Sequence, residues 1–266
     1  MKLGFIGGGN MAFAIAGGVT DAGIIASSDI VVNDTDCNAL AKFELMGTRI
    51  SVDIASVTDC DYIILAVKPF IIPVVLEKLK NDYKEDIENA VFISIAAGIS
   101  VDFIKEKLGF DAKVVRVMPN TPALVGAGMS VIAKALSPVT YEEFENVKKI
   151  FDSVGETEVM NEDMLNAVIA LSGSSPAYVF MLIEAMADGA VRDGIARNTA
   201  YKLAAQSVLG SAKMVLETKK HPGELKDMVC SPKGTTIEAV AQLEESGFRN
   251  AIISAMKKCT DKANNI

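Results

Sequence analysis

The sequence predicts an α/β protein: a doubly wound, mostly parallel sheet in the N-terminal part, followed by an all-helical C-terminal part. Three observations predict it. Strand and helix patterns alternate over roughly the first 150 residues, as in right-handed crossover units. A Gly-x-Gly-x-x-Ala turn (Gly7, Gly9, Ala12) joins the first strand to the first helix. Strand signals then stop near residue 160, and only helical patterns follow.

Taken in order, "KLGFIG" is a short apolar strand and "NMAFAIAGGVTDAG" a helix closed by Gly23. "DIVVND" is a second strand, and "CNALAKFELMG" a helix ending at Gly47. "DYIILAVK" is a continuous apolar run, expected of a strand buried on both faces. "PFIIPVVLEKLKNDY" reads as a loop and a helix, "NAVFISIAAG" as a strand, "SVDFIKEKLG" as a helix and "AKVVRVMP" as a strand. After "GMSVIA", one more helix (141–153) leads to the short strand "ETEVM". Helices are expected over 162–173, 176–193, 199–217, 223–230, 235–246 and 248–264, with turns at Gly194, Pro222 and Gly247. This places one domain at 1–160 and a second at 161–266. So many Ala, Leu, Ile and Met residues in a small helical unit suit burial against another subunit.

Composition narrows the function. The chain has 266 residues, of which 50% are apolar and 23% charged, which fits a globular protein with a core. A net charge of -8 with no basic run argues against a nucleic-acid surface. The four cysteines (Cys37, Cys60, Cys230, Cys259) form no C-x-x-C pair, so a zinc or thioredoxin-like site is not expected, and scattered thiols suit a reducing cytosol. "LGFIGGGN" is broken by glycines too early for a signal peptide. The longest apolar stretch, "AYVFMLIEAMADGAV", carries Glu184 and Asp188 and is short for a bilayer. The expectation is a soluble, cytoplasmic protein with no membrane partner. The single histidine, His221, precedes Pro222 and reads as a cap or loop residue rather than part of a triad.

The first turn carries chemistry. Gly7 permits a tight turn, Gly9 lets backbone approach a pyrophosphate, and Ala12 allows close helix packing. The helix N-terminus adds unpaired amides and the positive end of its dipole. At a strand–turn–helix this is a Rossmann-like dinucleotide site. Asp34, ending the second strand, either bonds an adenosine ribose, favouring NAD, or caps the turn "DTDCN". No Lys or Arg occurs between Val31 and Ala41 to meet a 2'-phosphate. Loops at 66–70, 95–98 and 118–128 follow later strands, where ligands of open α/β sheets bind. Lys68 is either part of such a loop's site or a solvated lysine. The 118–128 loop, with Asn120, is either a nicotinamide wall or a mere connection. Near the C-terminus, Thr235 and Glu238 in "SPKGTTIEAV" have capping-box spacing.

Seven stretches together resemble the pyrroline-5-carboxylate reductase family: "GFIGGGNMAFAIAGG", "LAVKP", "SIAAG", "MPNTPALVGAG", "ALSGSSPAYVF", "ADGAVRDGI" and "HPGELKDMVCSPKGTTIEAV". The resemblance runs over essentially the whole chain, and the last stretch is its most specific part. It implies an N-terminal dinucleotide-binding domain and a helical C-terminal dimerisation domain that interleaves with a partner subunit. It implies reduction of 1-pyrroline-5-carboxylate to L-proline with NAD(P)H, in a homo-oligomer built from dimers. Thr236 would hydrogen-bond the ring nitrogen. Ser231, Gly234, Thr235 and Thr236 would hold the substrate carboxylate, and Glu162 would line the same site. The dinucleotide would be held by Ile6, Gly7, Gly8, Gly9, Asn10, Met11, Ala12, Asn33, Asp34, Ala66, Val67, Lys68, Pro69, Ile95, Ala96, Ala97 and Asn120. The chain departs from the family pattern at Ser175, Met228 and Lys233, and at Asp34 and Ile54 near the adenosine phosphate, where Asp34 leans toward NADH because it would repel a 2'-phosphate.

The chemistry suits these residues. A protonated cyclic imine is already electrophilic, so hydride transfer needs positioning more than acid catalysis. One hydroxyl, Thr236, and one amide-rich helix start lie within three residues of each other. Lys233 either raises the local positive potential or points to water, and water is the preferred reading because exposed loop lysines are the norm. A β-hydroxyacid dehydrogenase would resemble this architecture but needs a helix lysine that "SGSSPAYVFMLIEA" lacks. The remaining alternatives are a reductase of a related cyclic imine and a catalytically silent nucleotide-sensing protein.

Overall fold

A computed structural model describes residues 1–265. Eight strands form one sheet in the order β3-β2-β1-β4-β5-β6-β7-β8. They are β1 (Leu3–Ile6), β2 (Ile30–Asn33), β3 (Arg49–Ser51), β4 (Tyr62–Leu65), β5 (Val91–Ser94), β6 (Lys113–Met118), β7 (Gly128–Ala133) and β8 (Gly155–Met160). All neighbours pair in parallel except β6 and β7, which run antiparallel. The doubly wound, mostly parallel sheet expected from the sequence is present.

The continuous apolar runs have a simple cause. Every residue of β1, β2, β4 and β5 is buried, so both faces of each strand must be apolar. Successive side chains enter opposite cores. Tyr62 and Ile64 pack into one layer with α1 (Asn10–Asp21), α2 (Cys37–Glu44) and α5 (Tyr141–Asp152). Ile63 and Leu65 pack into the other, with α3 (Ile72–Ile87) and α4 (Val101–Leu108). Full burial of a side chain such as Ile63 or Phe92 stabilises by about 1.5–3 kcal/mol. Helix α1 buries Ala12, Ile15, Ala16 and Val19, the spacing of one helical face.

Local chemistry sets the helix ends. Asp36 caps α2 through Asn38 N–H, and Ser100 caps α4 through Phe103 N–H. Thr140 and Glu143 form a reciprocal capping box on α5.

By contacts the chain divides into two units. The first comprises Met1–Ser174 with the described residues from Cys259 onward; the second is Ser175–Lys258. Between β8 and the second unit lie a 3-10 turn (Glu162–Met164), α6 (Leu165–Val168) and a π-helical turn (Ile169–Gly173), where one helix over 162–173 was expected. The second unit holds α7 (Ser175–Arg192), α8 (Arg197–Thr218), α9 (Pro222–Val229), α10 (Thr235–Glu245) and most of α11 (Phe248–Ala263).

The second unit has almost no core of its own. Its buried helix residues are alanines (Ala187, Ala200, Ala204), while Phe180, Met181 and Leu216 are 62%, 69% and 74% exposed. By length and composition alone, the helical run Glu162–Arg192 is apolar enough to cross a membrane, contrary to the reading that no stretch is long enough. The sequence reading stopped at shorter apolar blocks, whereas the helical turns run on through Ser175.

The capping box expected at Thr235 and Glu238 does not form. Gly234 is the N-cap of α10, in extended conformation, and no side chain caps it. Thr235 is already helical, so Glu238 lies one position beyond the reach of a capping box.

Candidate functional site

The first strand ends in a turn that only glycine fits. Gly7 has φ +109°, and a Cβ there would lie 2.7 Å from the Ala66 carbonyl oxygen. Its amide donates to the Asn33 carbonyl at 2.7 Å, locking the turn to the end of β2. Gly9 caps α1 without a side chain, so the first amides of the helix remain unclaimed by any cap. A Cβ on Gly9 would meet nothing within 4 Å, so the backbone there borders open space.

That space is a cavity of about 650 Å³ at the carboxyl ends of the strands. It is bordered by Gly7, Gly9, Asn10 and Met11 of the turn, by Asp34 and Thr35 after β2, and by Ala66, Val67, Lys68 and Pro69 after β4. Ile71, Ile95, Ala96, Ala97 and Pro119 complete it. Small side chains, exposed backbone and an uncapped helix start fit a dinucleotide, with pyrophosphate at α1 and the rest along the strand ends.

Five of the residues assigned to the dinucleotide do not border the cavity. Ile6 and Ala12 are buried beneath the turn. The Gly8 amide donates to Asp34 Oδ2 at 2.6 Å. Asn33 is buried and donates to the Ser51 carbonyl at 3.1 Å. Asn120 is buried too, accepting from Met129 N–H at 2.8 Å and donating to the Ser172 carbonyl at 3.0 Å. Sequence reasoning did not single out Thr35 and Ile71, and named Pro119 only as part of the 118–128 loop; Thr35 adjoins Asp34, and Ile71 carried no signal.

Asp34 does two things. Its Oδ1 accepts from Asp36 N–H at 2.9 Å, as a turn-forming aspartate does, while the carboxylate also borders the cavity. The turn-forming reading of Asp34 is therefore present in the structure.

Glu162 opens the 3-10 turn after β8. Its Oε1 accepts from Val101 N–H, the first amide of α4, at 2.9 Å, and faces Arg116 Nη1 at 3.5 Å. It borders a separate cavity of about 390 Å³ with Arg116, Lys105 and Lys134.

The second unit holds the other assigned residues. Gly234 N–H donates to the Ser231 carbonyl at 3.0 Å, closing the turn before α10. Lys233 takes φ +58°, a left-handed conformation that costs a non-glycine residue. A Cβ on Gly234 would lie 2.3 Å from Ser231 Oγ and 3.1 Å from the Ser231 carbonyl oxygen, so a side chain here would displace the serine hydroxyl. The start of α10 has no side-chain cap, and the Thr235 and Thr236 hydroxyls make no hydrogen bond among the described residues. His221 caps α9, its Nδ1 accepting from Gly223 N–H at 3.1 Å, as a cap histidine should.

Comparison with known proteins fixes the family. Residues 162–266 match the pyrroline-5-carboxylate reductase dimerisation model. Over 98% of its length the chain is 50% identical to the pyrroline-5-carboxylate reductase of Escherichia coli (strain K12), covering 97% of that protein. The chain belongs to the pyrroline-5-carboxylate reductase family. It is 43% identical to the reductase of Methanosarcina acetivorans, over 98% of this chain and 96% of that one. Residues 2–98 match a family of coenzyme F420-dependent NADP oxidoreductases. Among solved structures, the Plasmodium falciparum pyrroline carboxylate reductase with NADP bound superposes with a TM-score of 0.88 at 30% identity, covering all of this chain and 97% of that one. As in other pyrroline-5-carboxylate reductases, the cofactor class is NAD(P)H. The dimerisation match accounts for the exposed Phe180, Met181 and Leu216: the helical unit is half of a homo-oligomeric interface.

Proposed function

We propose that the protein reduces 1-pyrroline-5-carboxylate to L-proline, the last step of proline biosynthesis, using NAD(P)H. The observation that carries this reading is 50% identity across nearly the whole of a pyrroline-5-carboxylate reductase. When bound, the nicotinamide would supply a hydride to the imine carbon, and the C=N π electrons would pass to the protonated nitrogen, which would become the amine of proline. What the chain must do is bind and orient.

The glycine turn and α1 hold the pyrophosphate, and the loops after β2, β4, β5 and β6 hold the rest of the dinucleotide. The uncapped amides of α10, with Ser231, Gly234 and Thr235, hold the substrate carboxylate. The unpartnered Thr236 hydroxyl bonds the ring nitrogen, and Glu162 lines the substrate site. The division of labour places the dinucleotide in a domain at 1–160 and the substrate and dimer contacts in one at 161–266. Asp34 favours NADH, because a 2'-phosphate bordering it would meet a like charge. The protein works in the cytoplasm as an assembly of dimers, without nucleic-acid or membrane partners.

The test is a steady-state assay of NADH and NADPH oxidation, with and without pyrroline-5-carboxylate. Oxidation no faster with the imine than without it would sink this reading.

A further inference from the structure

The Glu162 carboxylate is held by an arginine that the functional reading leaves out. Arg116 lies on β6, and its side chain is only 5% exposed. Its Nη1 reaches Glu162 Oε1 at 3.5 Å, and its Nη2 donates to Asn166 Oδ1 at 3.2 Å. Its Nε is buried and has no hydrogen-bond partner among the described residues. Such a buried cation is costly, and an apolar residue would pack this strand position more cheaply. Burial pulls the guanidinium's pKa below its usual value, and the Glu162 charge opposes that pull.

Glu162 is gripped from two sides. The Val101 amide fixes Oε1 at the head of α4, and Arg116 meets the same oxygen from the sheet. Neither contact takes Oε2. Ala97, four residues before Val101, borders the dinucleotide cavity and packs against a cluster of Met118, Val131, Ala133, Leu165 and Val168, the last two just after Glu162. The α4 loop therefore ties the Glu162 carboxylate to the wall of the dinucleotide cavity.

The geometry points to Arg116 as a positioning residue: its guanidinium, braced by Asn166, fixes the Glu162 carboxylate on the α4 amide so that Oε2 is presented to the substrate. This rests on the reading that Glu162 lines the substrate site. Arginine suits the task because its rigid planar fork holds two acceptors on different residues in a fixed geometry, whereas an ammonium is a point charge on a flexible stem.

The experiment is a double-mutant cycle with Arg116→Met, Glu162→Gln and their combination, with Arg116→Lys as a fourth variant. KM for pyrroline-5-carboxylate, KM for NADH and kcat are measured for each. The expected result is a rise of about tenfold in imine KM for Arg116→Met, the scale of one lost charge-assisted hydrogen bond. NADH KM should stay within about twofold, Arg116→Lys should recover part of the loss, and the double variant should be no worse than the poorer single. An unchanged imine KM in Arg116→Met, beside a raised one in Glu162→Gln, overturns the proposal but keeps the Glu162 reading. Multiplying effects, or imine and NADH KM rising together, also overturn it, because they mark a residue acting through the fold alone. An unchanged imine KM in Glu162→Gln overturns the reading and the proposal with it. If Arg116→Met does not fold, Arg116→Lys decides: a several-fold rise in imine KM supports the role and an unchanged value overturns it.

Discussion

The Asp34 carboxylate accepts the Gly8 amide at 2.6 Å, so the residue that ends β2 is bonded into the glycine turn that follows β1. A negative charge is thereby held at the mouth of the dinucleotide cavity rather than swinging in solvent. Its effect on cofactor choice separates into charge and hydrogen bonding. Asp34→Asn keeps an acceptor and removes the charge. The kcat/KM ratio for NADPH over NADH should rise by about tenfold, the equivalent of 1.4 kcal/mol between the cofactors. Asp34→Ser should shift the ratio the same way while raising both KM values, because the Gly8 bond is lost. An unchanged ratio in both variants would show that the carboxylate does not face the 2' position.

Thr236 sits in the first turn of α10, but capping does not need it, since Gly234 is the cap and no hydroxyl serves it. Thr236→Ala should therefore leave the melting temperature within about 2 °C, because substitutions clear of such features cost little. It should lower kcat by about tenfold or more while NADH binding, followed by fluorescence titration, stays near wild type. Full kcat with a lowered melting temperature would make Thr236 a structural residue only.

Lys233 carries a left-handed backbone conformation that glycine adopts without strain. Lys233→Gly should stabilise the fold by up to about 1 kcal/mol, raising the melting temperature by about 2–4 °C. If the ammonium is only solvated, KM for the imine carboxylate should not change. A several-fold rise in KM would instead assign the ammonium to substrate attraction, and would explain a strained lysine before the α10 amides.

Cys60, 4% exposed beneath the sheet, gives a pH dependence of stability. Burial pushes its thiol pKa from 9.0 to about 12. The unfolded chain loses this proton above about pH 9, while the folded chain keeps it to about pH 12, so the folded state binds more protons in between. This contribution is fully present below pH 9 and is lost as pH rises toward 12, by up to about 1.4 kcal/mol per pH unit. Urea midpoints measured at pH 8, 9 and 10 should fall more steeply for wild type than for Cys60→Ala. Parallel slopes would show that the thiol does not set this dependence.

The fold was legible where burial imposes continuous apolar strands, as in "DYIILAVK", and where glycines mark the tight turn at Gly7. Strand β3 was not, because Arg49–Ser51 is a three-residue edge with only Ile50 apolar between two polar neighbours. The start of α10 at Thr235 was legible, but its cap was misassigned by one residue, because Thr-x-x-Glu spacing says nothing of the left-handed turn at Lys233 that precedes the Gly234 cap. In the site, loop residues such as Ala66 to Pro69 could be read from their place after strands. Arg116 could not be linked to Glu162, since the two lie 46 residues apart and only the packing of β6 beside the turn after β8 brings them together. The sequence also did not show that both Asp34 oxygens accept backbone amides, one from the glycine turn 26 residues away and one from its own turn, because the first of these depends on the pairing of β1 with β2.

The first unit takes its last residues from the far end of the chain. Ser174 Oγ meets Cys259 Sγ at 3.2 Å, and Asn166 Nδ2 donates to Asn264 Oδ1 at 3.2 Å. Asn166 is the same residue that braces Arg116. During synthesis the sheet can form while the helical unit is still emerging, but this corner stays open until residues 259–264 leave the ribosome. The brace behind Glu162 is therefore among the last parts of the molecule to be completed, after the residues of the helical unit have all been made.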